Sequence, residues 1–334
     1  MSAGYELIGL TASPYSMKTR AVMRYRRIPF EWVRDMPQIS GRVLKVSPVL
    51  LPVLCHPMGR QMTDSTAIIE VLEREIVNDR RVTHPDPGVA FLSDLIEDMA
   101  DEWLTKAMFW MRWHDPDGAR YAAGAIAAEL APGADAPDRA RMAEAVMARQ
   151  TGRMALVGST AANAPAVTGS LMRIAAALEA HLVQEPFLTG RRPVAADFAL
   201  YGQFAQLCFD TVSAELLRGA APQVGYWVRA MEDLSGLEAE WNAPGSALAQ
   251  PVLEALLEEC GRVYLPFLVA NAAAVDAGLE TVSVETPDGG YAGPPSKYQA
   301  KCLARLRERY RTSYIPGPAA ALLEKTGCAE ALAG

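Results

Sequence analysis

The sequence predicts a small α/β domain at the N-terminus, followed by a region built almost entirely of α-helices. Two observations support this fold class. Through about residue 80, short apolar segments typical of strands alternate with amphipathic segments typical of helices, in the order βαβ and then ββα. Beyond the breaker-rich segment VTHPDPG (82–88), apolar residues recur at helical spacing.

The segments of the predicted α/β domain have recognisable starts. The first helix begins with Pro14, which suits the first helical position because its missing N–H would have no partner there. The last helix begins at Asp64 or Ser65, since both side chains can cap a helix N-terminus. The elements, in chain order, are the strand YELIGLT, the helix PYSMKTRAVMRYRR, the strand IPFEWV, the short irregular helix PQISGRVLKVS, the strands LPVLC and RQMT, and the helix DSTAIIEVLERE.

The rest of the chain is predicted to be mostly helical. VAFLSDLIEDMADEWLTKAMFWMRW predicts one long helix, and VAADFALYGQFAQLCF is apolar on all sides and predicts the buried central helix. For the last ninety residues the sequence predicts one apolar helix (ALAQPVLEALLEECGRVYLPFLVANAAAV), the β-like segment ETVSVET, the loop PDGGYAGPPS and the basic amphipathic helix KYQAKCLARLRERY. We therefore expect an α/β domain at 1–82, an all-helical domain at 88–244 and a mostly helical C-terminal extension at 245–334 that packs on the helical domain.

The composition excludes several classes of protein. Half of the 334 residues are hydrophobic, so a sizeable core is expected. The net charge of −7 disfavours a nucleic-acid-binding protein, which normally carries a basic surface. No uncharged apolar run reaches the ~18 residues of a membrane span. The N-terminal MSAGYELIGL lacks the basic and apolar regions of a signal peptide.

Cysteine and histidine are sparse and dispersed. The cysteines form no C-x-x-C pair, a pattern typical of reduced thiols in a cytoplasmic protein. The histidines have none of the short spacings of metal-binding motifs, so no metal site is expected. The cysteines are Cys55, Cys208, Cys260, Cys302 and Cys328, and the histidines are His56, His84, His114 and His181.

One short segment at the end of the first predicted strand carries an unusual pair of serines. Ser13-Pro14-Tyr15-Ser16 has the frame of a dithiol redox motif, with serines where the two cysteines would be. A cysteine at position 13 would form mixed disulfides with a thiol ligand, whereas a serine cannot. The segment therefore predicts chemistry other than thiol–disulfide exchange through a protein cysteine.

Four segments together resemble the cytosolic glutathione transferase superfamily. They are Ser13 to Ser16 followed by Arg20, RRIPFEWV (26–33), SPVLLPVL followed by DSTAIIEVLE, and LTGRRPVAADFALYGQF (188–204). The resemblance covers residues 5 to about 240 and is closest to serine-type bacterial members with long C-terminal tails. It implies a thioredoxin-like N-terminal domain, an all-α C-terminal domain, glutathione as co-substrate and a homodimer.

The resemblance to serine-type members assigns Ser13 as the residue that stabilises the glutathione thiolate. A free thiol has a pKa of about 8.5, so little of it is ionised at neutral pH. A helix N-terminus favours the anion through its unpaired N–H groups, and a hydroxyl donor lowers the pKa of the thiol further. Ser16 is the second choice, because one related class uses a serine nearer that offset. The alternative for Ser13 is a plain N-cap.

Two further elements are expected to hold glutathione. The resemblance implies a cis peptide between Leu51 and Pro52, whose backbone groups pair with the ligand like an added strand. The alternative is a proline that opens an edge strand. Asp64 and Ser65 open the third helix and are expected to bind the γ-glutamyl group there. A capping pair is the alternative, and both interpretations can hold together.

The sequence departs from the superfamily pattern at two points. SPVLLPVL is one residue shorter than the usual segment and lacks the Lys or Arg that commonly meets the glycyl carboxylate, so Lys45 or Arg42 is the expected substitute. In PVAADF, Val194 replaces the usual Ser or Thr cap. Asp197 alone is then expected to cap the central helix, and the missing half of the cap costs about 1 kcal/mol.

The predicted long helix is rich in methionine and aromatic side chains, which suit a loose apolar pocket for an electrophile. For any single residue, a place in the helical core or a dimer interface is favoured over a place in that pocket. Asp98 or Asp101 is expected to reach a neighbouring subunit's glutathione, as in related dimers. The apolar and aromatic candidates, with one histidine, are Trp103, Met108, Phe109, Trp110, Met111, Trp113 and His114.

The last predicted helix of the extension presents a basic stripe. Lys297, Lys301, Arg305 and Arg309 recur at i, i+4 spacing and therefore lie on one face. One interpretation is a helix that packs on the helical domain with these charges in water or against acidic residues. The other is that the extension covers the cleft and restricts access of the substrate.

Together these observations favour a glutathione transferase-like enzyme. It is expected to activate glutathione as a thiolate for conjugation to, or displacement on, a small apolar electrophile. One alternative is a non-catalytic binding or scaffold protein, which the missing basic residue and the large extension favour. Another is glutathione-dependent disulfide reduction without a protein cysteine.

Overall fold

A computed structural model describes residues 4–315 and 317–334 of the chain, beginning with a four-stranded sheet flanked by helices. The elements of this part are β1 (Tyr5–Gly9), α1 (Pro14–Tyr25), β2 (Phe30–Arg34), α2 (Pro37–Ser40), β3 (Val53–Cys55), β4 (Gln61–Met62) and α3 (Ser65–Glu75). The strand order is β2-β1-β3-β4. β1 is parallel to β2, and β3 is antiparallel to both β1 and β4. The predicted order βαβ followed by ββα is therefore confirmed.

The chain after α3 is helical up to residue 231. Its helices are α4 (Pro87–Met99), α5 (Thr105–Trp113), α6 (Pro116–Leu130), α7 (Ala136–Thr151), α8 (Met154–Val157), α9 (Ala164–Leu182), α10 (Ala195–Leu207), α11 (Thr211–Ala220) and α12 (Pro222–Met231). A π-helical turn, Ala100–Leu104, joins α4 to α5 and so interrupts the predicted long helix. A thioredoxin-like sheet followed by a helical region confirms the predicted fold class.

The central helix is α10, and nearly all of its residues are buried. Asp197 accepts hydrogen bonds of 2.9 Å from the N–H groups of both Leu188 and Val194. The carboxylate therefore caps the helix without the usual hydroxyl partner, as predicted. Burial raises the pKa of Asp197 to about 7, against the lowering effect of these two N–H groups.

Residues 244–315 and 317–333 form short helices around a β-hairpin. The elements of this part, in chain order, are α13 (Pro244–Leu248), α14 (Pro251–Glu259), α15 (Leu265–Asp276), β5 (Val282–Thr286), β6 (Gly289–Gly293), α16 (Lys297–Thr312), α17 (Gly317–Lys325) and α18 (Cys328–Ala333). The prediction of one apolar helix was wrong, because Pro251 cannot continue α13 and instead starts α14. A second π-helical turn, Cys260–Tyr264, joins α14 to α15. β6 lies within the predicted loop and pairs with the predicted strand β5.

The β5–β6 hairpin is fixed to α9 by a polar cluster in which Glu259 is buried. Arg173 of α9 donates to Glu259 at 2.7 Å and to Asp288 at the hairpin turn at 2.6 Å. Tyr291 of β6 packs against the rings of Trp103 and Phe267. The extension therefore contributes to the same apolar core as α4, α9 and α10.

The first helix of the sheet region packs closely on the central helix of the helical region. At Gly202 of α10, an added Cβ would lie 2.5 Å from the Pro14 carbonyl oxygen, so only glycine allows this approach. Arg20 of α1 is buried and forms an ion pair with Glu232, which follows α12. The start of α1, which Ser13 caps, is therefore positioned from both sides. No helix in the part of the chain that the structure describes has the length and apolar character needed to cross a membrane.

Candidate functional site

Ser13 lies at the junction between β1 and α1 and is the N-cap of α1. Its Oγ accepts a hydrogen bond of 3.3 Å from the Ser16 N–H, and the side chain is half-buried. The predicted N-cap role is therefore observed. A hydroxyl that accepts through its lone pair keeps its own hydrogen for another acceptor. Within the described residues this hydrogen is not donated to any group, so both the capping and the thiolate interpretations fit the geometry.

Ser16 lies beneath the same junction and is fully buried. Its Oγ accepts from the Leu10 N–H at 3.4 Å. A Cβ on Gly9 would approach Ser16 Oγ to 2.6 Å, so a side chain at position 9 would collide with Ser16. This burial disfavours Ser16 as a residue that contacts a ligand sulfur.

The segment before Ser13 is held by side chains of the helical region that sequence analysis missed. Arg112 of α5 is buried and donates to the Ala12 carbonyl oxygen at 2.7 Å, while Asp210 accepts from Arg112 Nε at 2.6 Å. Gln206 of α10 donates to the Thr11 carbonyl oxygen at 3.0 Å. These contacts span about a hundred or more residues of sequence, so no local pattern indicates them.

A carboxylate also reaches this segment. Glu129 of α6 accepts from the Thr11 N–H at 3.0 Å and from the Thr11 hydroxyl at 2.6 Å. Thr11 is two residues from Ser13 in the chain. A negative charge so close to the start of α1 opposes the accumulation of a second negative charge there.

The Leu51–Pro52 peptide is cis, as the resemblance implies. The Leu51 N–H and C=O make no hydrogen bond within residues 4–315 and 317–334, so both backbone groups are available to a ligand. Thr63 donates to the Leu50 carbonyl oxygen at 2.7 Å, which brings this turn beside the segment that precedes α3. The two predicted glutathione-binding elements are therefore adjacent.

The two candidate basic residues differ in their surroundings. Arg42 donates to Glu6 at 2.9 Å, and this hydrogen bond to the carboxylate raises the pKa of Arg42. Lys45 is exposed, and its backbone N–H donates to Gln61 at 2.6 Å. The Lys45 ammonium forms no ion pair within the described part of the chain. Of the two, Lys45 is the residue whose charge is available to a ligand.

Asp64 is the N-cap of α3 and adopts a backbone conformation with φ 77° and ψ 110°. Its Oδ1 accepts from the N–H groups of Thr66 at 3.1 Å and Ala67 at 3.3 Å. Its Oδ2 accepts from the Tyr298 hydroxyl at 2.7 Å. The capping interpretation of Asp64 is thus observed, and Ser65 is buried at the first position of the helix.

A buried charge network joins α1, α3 and α4 behind this helix start. Lys18 is fully buried, and its Nζ lies 2.6 Å from Glu97, 2.5 Å from Asp101 and 3.2 Å from the Thr66 hydroxyl. Burial raises the pKa of Asp101 to about 6, against the opposing charge of Lys18. Asp101 Oδ1 is buried without a hydrogen-bond partner in the described part of the chain.

The expectation that Asp98 or Asp101 reaches a neighbouring subunit is wrong for this structure. Asp98 is buried, accepts from the Tyr264 hydroxyl and forms an ion pair of 2.7 Å with Arg305 of α16. Asp101 is buried against Lys18. The extension covers this face of α4, and the carboxylates are therefore used within the chain.

The basic stripe of α16 meets acidic residues, as one of the two interpretations predicts. Arg309 lies 3.0 Å from Glu70 of α3 and 3.0 Å from Asp94 of α4. Arg305 meets Asp98, whereas Lys297 and Lys301 are exposed. The extension therefore packs across both α3 and α4.

Most of the apolar candidates on the predicted long helix are core residues. Trp103, Met108 and Met111 lie in the main core, as the favoured interpretation predicts, and His114 is exposed. Trp113 belongs to a smaller group that we call the cleft cluster. The buried members of the cleft cluster are Leu10, Met36, Trp113, Ala119, Ala122, Ala123, Ile126 and Val146.

The cleft cluster bridges the sheet region and the α5–α7 helices. Leu10 and Met36 come from the sheet region, and the partly buried residues Ala12, Leu51 and Phe109 pack against it. Ala12 precedes Ser13, and Leu51 precedes the cis proline. An apolar wall therefore lies next to two of the predicted glutathione contacts.

Cysteine chemistry does not enter this arrangement. All five cysteines are free thiols, and burial raises the pKa of the half-buried Cys55. Cys55 lies on β3 and is only partly buried. No group of three or more His, Cys, Asp or Glu residues is placed to hold a metal ion in the described parts of the chain.

Comparison with known proteins identifies the sheet region. Residues 7–78 match a family model described as "Glutathione S-transferase, N-terminal domain". Glutathione S-transferase U9 of Arabidopsis thaliana is 33% identical over 84 residues, which are 24% of this chain and 35% of the relative. Glutathione S-transferase U8 of the same organism is 30% identical over 86 residues, or 25% and 38% of the two chains. The chain thus spans little more than a third of the length of these curated relatives.

Solved structures are similar over a longer part of the chain but at low identity. A glutathione S-transferase from Methylobacterium radiotolerans in complex with glutathione sulfonate has a TM-score of 0.45 and 22% identity, covering 72% of this chain and 98% of that one. A glutathione S-transferase from Ceriporiopsis subvermispora in complex with glutathione has a TM-score of 0.47 and 16% identity, covering 71% and 100%. Because both TM-scores and identities are low, the assignment rests on the family model and the curated relatives. Residues 7–78 are therefore similar to the N-terminal domain of glutathione S-transferases.

Proposed function

We propose that the protein is a glutathione transferase-like enzyme that holds glutathione as a thiolate and directs it at a small apolar electrophile. The observation that carries the proposal is the Ser13 hydroxyl at the N-terminus of α1, with its hydrogen uncommitted within the described residues. Its oxygen caps the helix, so the O–H is oriented by the Ser16 N–H while it donates to the sulfur. A hydrogen bond to the charged form and the partial positive charge of the helix both lower the pKa of the thiol.

The remaining contacts assign each end of glutathione to one element. We infer that the Leu51 N–H and C=O pair with the cysteinyl backbone, as in an added strand. Asp64 accepts from the γ-glutamyl ammonium, and the Ser65 N–H receives the γ-glutamyl carboxylate. Lys45 meets the glycyl carboxylate, because Arg42 is engaged by Glu6.

The cleft cluster supports an apolar electrophile as the second substrate. Its edge at Ala12, Leu51 and Phe109 adjoins the position proposed for the sulfur. In the reaction, the thiolate forms a carbon–sulfur bond with the electrophile, which accepts the electron pair or releases a leaving group. An apolar wall excludes water and so keeps the thiolate a strong nucleophile.

Calorimetry and titration test the role of Ser13. Glutathione is titrated into the wild-type protein and into Ser13→Ala, and the pKa of the bound thiol is measured from the ultraviolet absorbance of the thiolate. We expect Ser13→Ala to raise that pKa by about one unit and to lower turnover with a model electrophile about tenfold, because one hydrogen bond to an anion is lost. A loss of turnover below about threefold argues against the assignment.

A matched control separates thiolate stabilisation from helix capping. Asp86 caps α4 and accepts from the Val89 N–H at 2.9 Å, away from β1 and α1 in the chain. Asp86→Ala and Ser13→Ala each cost about 1 kcal/mol of stability through the lost cap. Only Ser13→Ala is expected to change the pKa of the bound thiol.

A non-catalytic binding or scaffold function is the second candidate. Glu129 supports it, because a carboxylate bonded to Thr11 opposes an anionic sulfur at the start of α1. This candidate is favoured if calorimetry detects glutathione binding while no turnover is found with a panel of electrophiles or with a panel of disulfides. Turnover on disulfides alone instead favours reduction that uses two glutathione molecules and no protein cysteine.

We further propose a cytoplasmic homodimer. The dispersed free cysteines support the cytoplasmic location. The interface of the homodimer excludes Asp98 and Asp101, because α16 and Lys18 cover them. Light scattering of the purified protein measures the mass, and a mass of one chain contradicts the homodimer.

A further inference from the structure

The extension contacts the proposed γ-glutamyl end of the site at one polar group. Tyr298, the second residue of α16, donates from its hydroxyl to Asp64 Oδ2 at 2.7 Å. The two residues are 234 positions apart in sequence. Oδ1 of the same carboxylate accepts from the first turn of α3, so each Asp64 oxygen has a separate partner. Together these partners fix the plane of the carboxylate.

The start of α16 is itself firmly placed. Asn271 of α15 exchanges two hydrogen bonds with the Ser296 backbone, at 2.9 and 2.8 Å, and the Ser296 side chain caps α16. The Gln299 side chain is buried and donates to Glu102 at 3.1 Å. Tyr298 lies between these two anchors. Its hydroxyl therefore approaches Asp64 from a support anchored on α15 and on the π-helical turn that follows α4.

Arg309 continues the same attachment further along α16. It meets Glu70 of α3, which lies about 1.7 helical turns after the N-cap residue Asp64. The extension thus contacts α3 at its capped start and again within the helix. About half of the Tyr298 side chain stays exposed, so the tyrosine does not close off the carboxylate. A carboxylate oxygen has two lone pairs, and Asp64 Oδ2 can accept from Tyr298 and from an ammonium group together.

We propose that Tyr298 is a positioning residue of the glutathione site, holding the Asp64 carboxylate in the orientation that receives the γ-glutamyl ammonium. This inference rests on the proposed function, because it needs glutathione to bind at α3. It assigns the C-terminal extension a direct part in the affinity for the ligand. Without the hydroxyl, Asp64 keeps its cap but loses the second restraint on its orientation.

A double-mutant cycle on the full-length chain tests this proposal. Glutathione affinity is measured by calorimetry for the wild type, Tyr298→Phe, Asp64→Asn and the double variant. Asn at position 64 still caps α3 and tolerates the positive φ. Tyr314→Phe is the matched control, since Tyr314 lies in the same extension and is largely exposed. Thermal unfolding of each ligand-free variant reports any change in folding.

We expect Tyr298→Phe to weaken glutathione binding about three- to tenfold, because the Asp64 carboxylate loses one of the two restraints on its orientation. Tyr314→Phe is expected to bind as the wild type does. The double variant should bind no more weakly than Asp64→Asn alone, because Tyr298 acts through that carboxylate. This coupling is not expected of a tyrosine that only supports the fold.

Three results overturn the proposal in different ways. Unchanged or tighter binding by Tyr298→Phe shows that the hydroxyl does not assist the ligand. Additive losses in the double variant show that it does not act through Asp64. If the wild type binds no glutathione, the proposed function fails and this inference fails with it, a result distinct from the other two.

Discussion

Lys18 and Asp101 form a buried ion pair, with 2.5 Å between Lys18 Nζ and Asp101 Oδ2. The same ammonium meets Glu97 at 2.6 Å and the Thr66 hydroxyl at 3.2 Å. Lys18 is on α1, Thr66 is on α3, and both carboxylates lie on α4 or its π-helical turn. One buried charge therefore ties the helix that begins at Ser13 to the helix that begins beside Asp64.

Replacement of Lys18 by methionine should destabilise the protein strongly. Lys18→Met leaves two carboxylates buried together without a cation, and we expect a loss of about 3–5 kcal/mol in the free energy of unfolding. Urea unfolding measures the loss. Lys301→Met, on the exposed part of the basic stripe, is the control and should change stability by less than about 0.5 kcal/mol. A Lys18→Met protein as stable as the control contradicts the role of this ion pair.

Two arginines of α16 should differ in their contribution to stability. Arg305 pairs with the buried Asp98, whereas Arg309 pairs with Glu70 and Asp94, which are more exposed. We expect Arg305→Met to cost about 2–4 kcal/mol, because it leaves a buried carboxylate without its cation. Arg309→Met should cost less than about 1 kcal/mol. Equal losses for the two variants would show that burial of Asp98 does not set the strength of the pair.

The features that sequence analysis predicted correctly are encoded locally. Ser13 and Asp64 are capping residues next to the helices they cap, and Pro14 fixes the start of α1. The alternation of apolar segments predicts the sheet, since each strand and helix buries its own apolar face. These signals lie within a few residues of the structure they specify.

The features that were missed depend on contacts between distant segments. Arg112 binds the Ala12 carbonyl 100 residues away, and Tyr298 binds Asp64 across 234 residues. No pattern around Arg112 or Tyr298 indicates these partners, because tertiary packing alone brings them together. The π-helical turn Ala100–Leu104 was also missed, because the spacing of apolar residues through this turn still predicts one continuous helix.

The carboxyl group of Glu102 predicts a pH dependence of stability. Burial and the charges of Asp98 and Asp101 raise its pKa from 4.5 to about 8. Between about pH 4.5 and 8, the Glu102 carboxyl is therefore protonated in the folded protein and ionised in the unfolded chain. The contribution of Glu102 to the free energy of unfolding thus falls as the pH rises through this window and is constant above it.

Glu102→Gln removes this titration while it keeps an acceptor for Gln299. The free energy of unfolding in urea should fall between pH 5 and pH 8 in both proteins. The fall should be smaller in Glu102→Gln than in the wild type, by about 1 kcal/mol or more. Glu280→Gln, which replaces an exposed carboxylate, is the control and should follow the wild type. Parallel pH profiles for wild type and Glu102→Gln would show that Glu102 ionises normally.

Gly261 should be essential for the docking of the last two helices. It lies in the π-helical turn between α14 and α15, and a Cβ at this position would overlap the Thr326 carbonyl oxygen between α17 and α18. The obstructing atom belongs to the backbone and cannot rotate away. We expect Gly261→Ala to cost about 1–3 kcal/mol of stability in urea unfolding and to speed proteolytic release of residues 317–334.

Gly225→Ala in α12, where a Cβ meets open space, is the control. It should instead gain about 0.5–1 kcal/mol of stability, because alanine favours a helix. Equal proteolysis of the two variants would mean that α17 and α18 are not held against Gly261.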